Sequence, residues 1–171
     1  MNQKQGAMPV ILLLIFCTVL SVWVWKNVPV EQERSADIAR LKLETLELDS
    51  LLAEGKPVLL NVSSDNCPYC VMMAPDLADI YAGYGDAVII RDINADKYPD
   101  AYLQLPVRGT PMQVFYYADG TPYVPGEAVA QQIYFLRYVT KDTGEHVMTV
   151  HEGMMTAEQM ELVLQDLGVV R

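Results

Sequence analysis

Cys67 and Cys70 stand two residues apart in the run Cys67-Pro68-Tyr69-Cys70, and a third cysteine, Cys17, lies alone in an apolar segment. A disulfide across so short a loop adds little as a structural staple, because the loop it closes is tiny. The pair therefore asks for a chemical reading. Residues 57–63 (PVLLNVS) form a short apolar run that fits a buried strand. Pro68 then opens a helical stretch at the first position, where its missing N–H costs nothing. Cys67 falls at the N-cap of that helix, where free backbone N–H groups and the helix dipole stabilise an anion. Thiolate is the reactive form of cysteine, so this position lowers the thiol pKa and supplies nucleophile near neutral pH. Cys70 lies about one helical turn further on, close enough to reach the Cys67 sulfur but more enclosed. The division of labour that follows has Cys67 attacking a substrate disulfide and Cys70 resolving the mixed disulfide.

A C-x-x-C is also half of a zinc site. Zinc needs four ligands, and His146 and His151 are the further candidates. Five residues apart, they fall on opposite faces of a predicted strand, and they follow the cysteines by about 75 residues, far from finger spacing. No metal is expected. Bound cofactor is not required either, because the cysteine pair itself carries the electrons. Met72, Met73, Met154 and Met155 read as core and site-rim packing rather than metal ligands.

Positioning such a pair takes a framework. Residues 40–45 (RLKLET) alternate like a half-buried strand, and 46–54 look helical up to Gly55. After the strand at 57–63, a helix is predicted over 68–81, with Pro75 inside it as a kink. Residues 87–93 (AVIIRDI) form the next strand, 95–104 a short helix interrupted near Pro99, and 112–117 (MQVFYY) another strand before a turn at Asp119-Gly120. Alternation of this kind argues for an α/β fold with a central sheet and helices on its faces. Residues 121–132, with Pro122, Pro125 and Gly126, take no firm assignment. Residues 133–140 and 145–151 flank a turn with Gly144 and predict a hairpin. The last helix, 156–167, starts at a capping box of Thr156 and Gln159.

Four features together resemble the thioredoxin superfamily. They are the C-P-Y-C tetrad, Pro75 five residues after Cys70, Arg108-Gly109-Thr110-Pro111 with its proline 44 residues beyond Cys67, and Gly153-Met154-Met155-Thr156 entering the last helix. The likeness spans about 41–167. It implies a thioredoxin-like fold with a mixed sheet and thiol–disulfide oxidoreductase activity through Cys67 and Cys70. It also implies a cis peptide before Pro111, a substrate groove shaped by Thr110, Pro111, Pro68 and Tyr69, and protein substrates. A redox partner must then reset the pair. Departures are equally specific. The superfamily's buried Asp six residues before the first cysteine is Asn61 here, and Asn cannot act as a base. Asn66 replaces the Trp before the first cysteine, and Asp65 nearby is expected to raise the thiol pKa against the helix effect. Residues 121–145 form an insertion before the last strand–helix unit, expected to add a strand or small subdomain. Its aromatics Tyr123, Tyr134, Phe135 and Tyr138 are expected to pack, with a docking role as the alternative.

The chain of 171 residues suits one domain plus an appendage, and 51% apolar residues suffice for a core. It carries 12 Lys+Arg against 22 Asp+Glu, so no basic footprint for nucleic acid exists. Residues 10–25 (VILLLIFCTVLSVWVW) are uncharged, lie between Lys4 and Lys26, and end in Trp23 and Trp25, rings that prefer a membrane interface. The expected organisation is a membrane anchor over 1–26, a polar linker over 27–39, and the thioredoxin-like domain over 40–171. Cys17 reads as a small apolar residue of the anchor. This layout implies a single-pass inner-membrane protein whose domain faces the periplasm or another extracytoplasmic space; the alternative is secretion after cleavage of a signal segment. Two rivals to the exchange activity are a non-enzymatic scaffold or chaperone module of an envelope assembly, and metal delivery through the cysteine pair.

Overall fold

The computed structural model describes residues 7–170. It divides into two units, one up to Ala36 and a compact one from Asp37 onward. Helix α1 (Ala7–Leu41) is 35 residues long and crosses that division in sequence. Residues 27–39, expected as a polar linker, are helical, in keeping with a run rich in Glu, Gln, Arg and Ala. The described apolar side chains from Val10 to Val24 are exposed. Among the described residues no helix is long and apolar enough to cross a membrane, and Val10 to Val24 is shorter than the roughly 20 residues a span needs.

The compact unit is a six-stranded mixed sheet in the order β1-β3-β2-β4-β6-β5. Its strands are β1 (Lys42–Leu43), β2 (Val58–Ser63), β3 (Ile89–Asn94), β4 (Met112–Tyr116), β5 (Leu136–Val139) and β6 (His146–Glu152). The first three run parallel, and β4, β6 and β5 continue antiparallel. The strand expected at 40–45 is only two residues, because α1 persists to Leu41. Helices α2 (Leu48–Leu52), α3 (Pro68–Tyr84), α4 (Ala101–Gln104), α5 (Glu127–Ala130) and α6 (Ala157–Asp166) complete the unit.

Alternation along the strands divides the core in two. Val58, Leu60 and Val62 of β2 share one face with Met112 and Val114 of β4, packed with Leu46 and Leu51. Leu59, Ile90 and Phe115 face the other way, onto Met73, Leu77 and Ile80 of α3 and Met160 and Leu164 of α6. The segment 121–145 supplies α5 and the edge strand β5. It is tied to the second face by aromatic packing: Tyr123 lies edge-on to Phe115, Tyr117 and Phe135 at centroid distances of 5.7–6.0 Å. The Tyr123 hydroxyl donates to Asp166 of α6 at 2.6 Å. Tyr138 packs against the first core, while Tyr134 is exposed.

Candidate active site

The end of β2 delivers the chain to α3, and Cys67 is the N-cap of that helix with Pro68 at its first position. The Cys67 sulfur accepts the Cys70 backbone N–H at 3.1 Å, and the thiol donates to the Thr110 carbonyl at 3.2 Å. Burial alone would push this thiol up, but hydrogen bonds from the Cys70 side chain and backbone, the Thr110 side chain and the Tyr69 backbone outweigh it, leaving the pKa below the ordinary thiol value. Cys70, one turn on, is only 7% exposed. Burial first, and the neighbouring Cys67 second, push its thiol up to about 11. Both cysteines are free thiols. One is poised to ionise, the other to stay protonated.

Asp65 does not oppose this. It accepts from Asn94 at 2.7 Å and pairs with Lys97 at 2.9 Å, and the Lys97 hydrogen bond holds its carboxyl below the usual range. Against the expected rise from Asp65, the balance at Cys67 falls the other way, with the Asp65 charge paired to Lys97.

The opposite wall is the turn before β4. The Thr110–Pro111 peptide is cis. The Pro111 carbonyl accepts the Gly153 N–H at 2.9 Å. Gly153 has φ +115°, a conformation side chains disfavour, and it leads through Met154 and Met155 to α6. Arg108 forks onto Glu152 with bonds of 2.8 and 3.0 Å, bracing the turn against β6. The structure thus brings Cys67, Cys70 and Thr110 into contact, with Pro111 next in chain. Pro68 and Tyr69 are exposed on the first turn of α3, and Tyr69, Val71 and Met72 present an apolar surface there. Met73 and Met155 are buried, and the Met155 N–H donates to the Met73 sulfur at 3.4 Å. His146 and His151 are occupied within the sheet, bonded to Thr149 and to the Tyr134 carbonyl respectively.

Below the cysteines runs a buried polar chain, of which the sequence pointed to Asn61 alone. Asn61, Asp92 and Gln113 come from three adjacent strands and stand in register. Gln113 Nε2 donates to Asn61 Oδ1 at 3.0 Å, and Asn61 Nδ2 donates to Asp92 Oδ1 at 2.7 Å. Ser63 Oγ donates to Asp92 Oδ2 at 3.0 Å, and Lys42 of β1 pairs with the same oxygen. The available signal was polar residues set into predicted buried strands, Asn61 and Ser63 in β2, Asp92 in β3 and Gln113 in β4.

Residues 45–136 match the family model described as a thioredoxin-like domain, a stretch that holds both cysteines, Thr110 and Pro111. The chain belongs to the thioredoxin-like family. It is 34% identical over 89 residues to the thiol:disulfide interchange protein TxlA homolog of Synechocystis sp., covering 51% of this chain and 48% of the relative. It is 32% identical over 75 residues to the thioredoxin of Acidithiobacillus ferridurans, covering 44% of this chain and 68% of that protein. The chain thus spans about half the length of the interchange protein. Among solved structures, chloroplastic thioredoxin z superposes with a TM-score of 0.51 at 20% identity, over 74% of this chain and 93% of that one. That similarity is one of fold.

Proposed function

We propose that this protein is a thiol–disulfide oxidoreductase acting on protein thiols and disulfides outside the cytoplasm, held at a membrane by its N-terminal segment. The observation that supports it most is the asymmetry of the pair: a Cys67 thiol lowered at a helix N-cap beside an enclosed Cys70 thiol raised to about 11. In the reducing direction the Cys67 thiolate attacks one sulfur of a substrate disulfide, and the other sulfur leaves as a thiolate that takes up a proton. Cys70 then attacks the Cys67 sulfur, the Cys67–substrate bond breaks, and the second substrate sulfur leaves reduced. Two electrons have moved from the cysteine pair to the substrate. Oxidation of a substrate dithiol is the reverse. Thr110 and Pro111 on one side and Pro68 and Tyr69 on the other bound the groove where an extended substrate lies. A separate redox partner resets the pair.

Membrane attachment is supported by the exposed apolar side chains of Val10 to Val24. The domain then lies on the periplasmic or extracytoplasmic side.

Reduction of a protein disulfide such as that of insulin, followed with single-cysteine variants, tests the exchange reading. Cys67→Ser abolishes turnover. Cys70→Ser accumulates a substrate disulfide on Cys67 that dithiothreitol releases. Trapping by Cys67→Ser instead reverses the two roles, and turnover that survives both substitutions removes the pair from the chemistry.

A further inference from the structure

Resolution of a mixed disulfide needs Cys70 as a thiolate, and the surroundings of Cys70 oppose ionisation. A base must collect its proton. Cys70 lines a cavity of about 210 Å³ whose polar walls include Asn61, Ser63, Asp65 and Asp92. A cavity of that size and polarity holds several water molecules, each needing about 30 Å³. Two carboxyl groups reach it. Asp65 is exposed and committed to Lys97 and Asn94. Asp92 is 3% exposed and fixed from three sides, by Asn61, Ser63 and Lys42. Asn61 cannot take a proton; its amide bond to Oδ1 orients the carboxylate instead.

We propose that Asp92 accepts the Cys70 proton during resolution, through water in the cavity that both side chains line. This rests on the exchange reading above. In the resolving step the proton passes from the Cys70 sulfur through water to the Asp92 carboxylate. The freed thiolate forms the Cys67–Cys70 bond, the Cys67–substrate bond breaks, and the substrate sulfur leaves with the bonding electrons. Asp92 then returns its proton to solvent through the cavity. In the reverse direction it protonates Cys70 as that sulfur leaves Cys67. The charged and titratable groups around the route are Lys42 from β1, Asp65 and Lys97 from the loops beside it, and Cys67 and Cys70 from α3. Lys42 keeps the buried carboxylate paired, and its own side chain reaches solvent, with 47% exposure.

The test uses the full chain in detergent, with Cys17→Ser to silence the remaining thiol, mixed in stopped flow with excess dithiobis(nitrobenzoate). Attack by Cys67 releases one coloured thiolate; resolution by Cys70 releases the second. Asp92→Asn leaves the first release within about twofold and slows the second by about 100-fold near neutral pH, the scale of a lost general base. The gap narrows as pH rises and hydroxide ionises Cys70 directly. Adding Asn61→Asp to Asp92→Asn restores a carboxylate to the same cavity from the facing strand and recovers most of the second release. Lys42→Met, a change at a partly exposed side chain, removes the cation paired with Asp92 and alters the rate of the second release while leaving the first in place. An unchanged second release in Asp92→Asn, or equal slowing of both releases, overturns the proposal. Should Asp92→Asn not fold, an unchanged second release in Lys42→Met overturns it. Absence of either release in the parent protein overturns the exchange reading itself.

Discussion

Cys67 and Cys70 differ by one helical turn, yet their chemistry diverges because only one of them receives the N-terminal hydrogen bonds while the other is buried. The pH dependence follows directly. A lowered pKa means Cys67 carries thiolate at a pH where an ordinary thiol, near 8.5, is still protonated. Alkylation of the reduced protein by iodoacetamide therefore rises first through a midpoint below that value at Cys67. Cys70 follows only toward pH 11, as mass spectrometry of the two modified peptides will show. Simultaneous labelling with one ordinary midpoint contradicts this. The placement of Cys67 at a helix N-cap was legible in the sequence because strand, proline and helix signals bracket it locally. The fate of Asp65 was not: nothing local says that Lys97 and Asn94 will capture it. Likewise Asn61, Asp92 and Gln113 lie on three separate strands, and only strand pairing reveals that they meet.

Elements with strong local signals formed as read. The buried strands β2 and β4 are largely apolar runs, and α6 begins at a full capping box, with Thr156 accepting from the Gln159 N–H at 3.3 Å and Gln159 reaching back to the Thr156 N–H at 3.0 Å. Thr156→Ala removes half of that box and costs about 1 kcal/mol in urea unfolding. Segment 121–132 resisted reading because its shape is set by tertiary contacts rather than period. Asp166 accepts from the Tyr123 hydroxyl and, at 2.8 Å, from the Gly126 N–H, so α6 rather than local propensity holds the segment. A Cβ on Gly126 would come within 2.7 Å of Asp166 Oδ1. Asp166→Ala orphans the buried Tyr123 hydroxyl and lowers stability by about 1–3 kcal/mol, with Cys67 alkylation unchanged because the cysteines lie elsewhere. Loss of Cys67 reactivity in that variant would mean that the insertion positions the site.

At the scale of the whole molecule, an acidic domain with a compact core follows a helix whose apolar side chains from Val10 to Val24 are exposed. If that helix is a membrane attachment, the full chain sediments with membranes through a high-salt wash, and removal of residues 1–26 releases a domain that keeps its thiol reactivity. Release of the full chain by salt alone contradicts an apolar attachment. The domain's purpose rests on whether Cys67 and Cys70 behave as one two-electron couple. The most direct measurement is equilibration of the protein with graded ratios of reduced to oxidised glutathione, scoring the fraction of the pair left open to alkylation. A smooth transition that fits a single two-electron couple, reached from both the reduced and the oxidised protein, is the predicted result. A pair that remains in its starting state across the whole range contradicts thiol–disulfide exchange and leaves the domain as an assembly module.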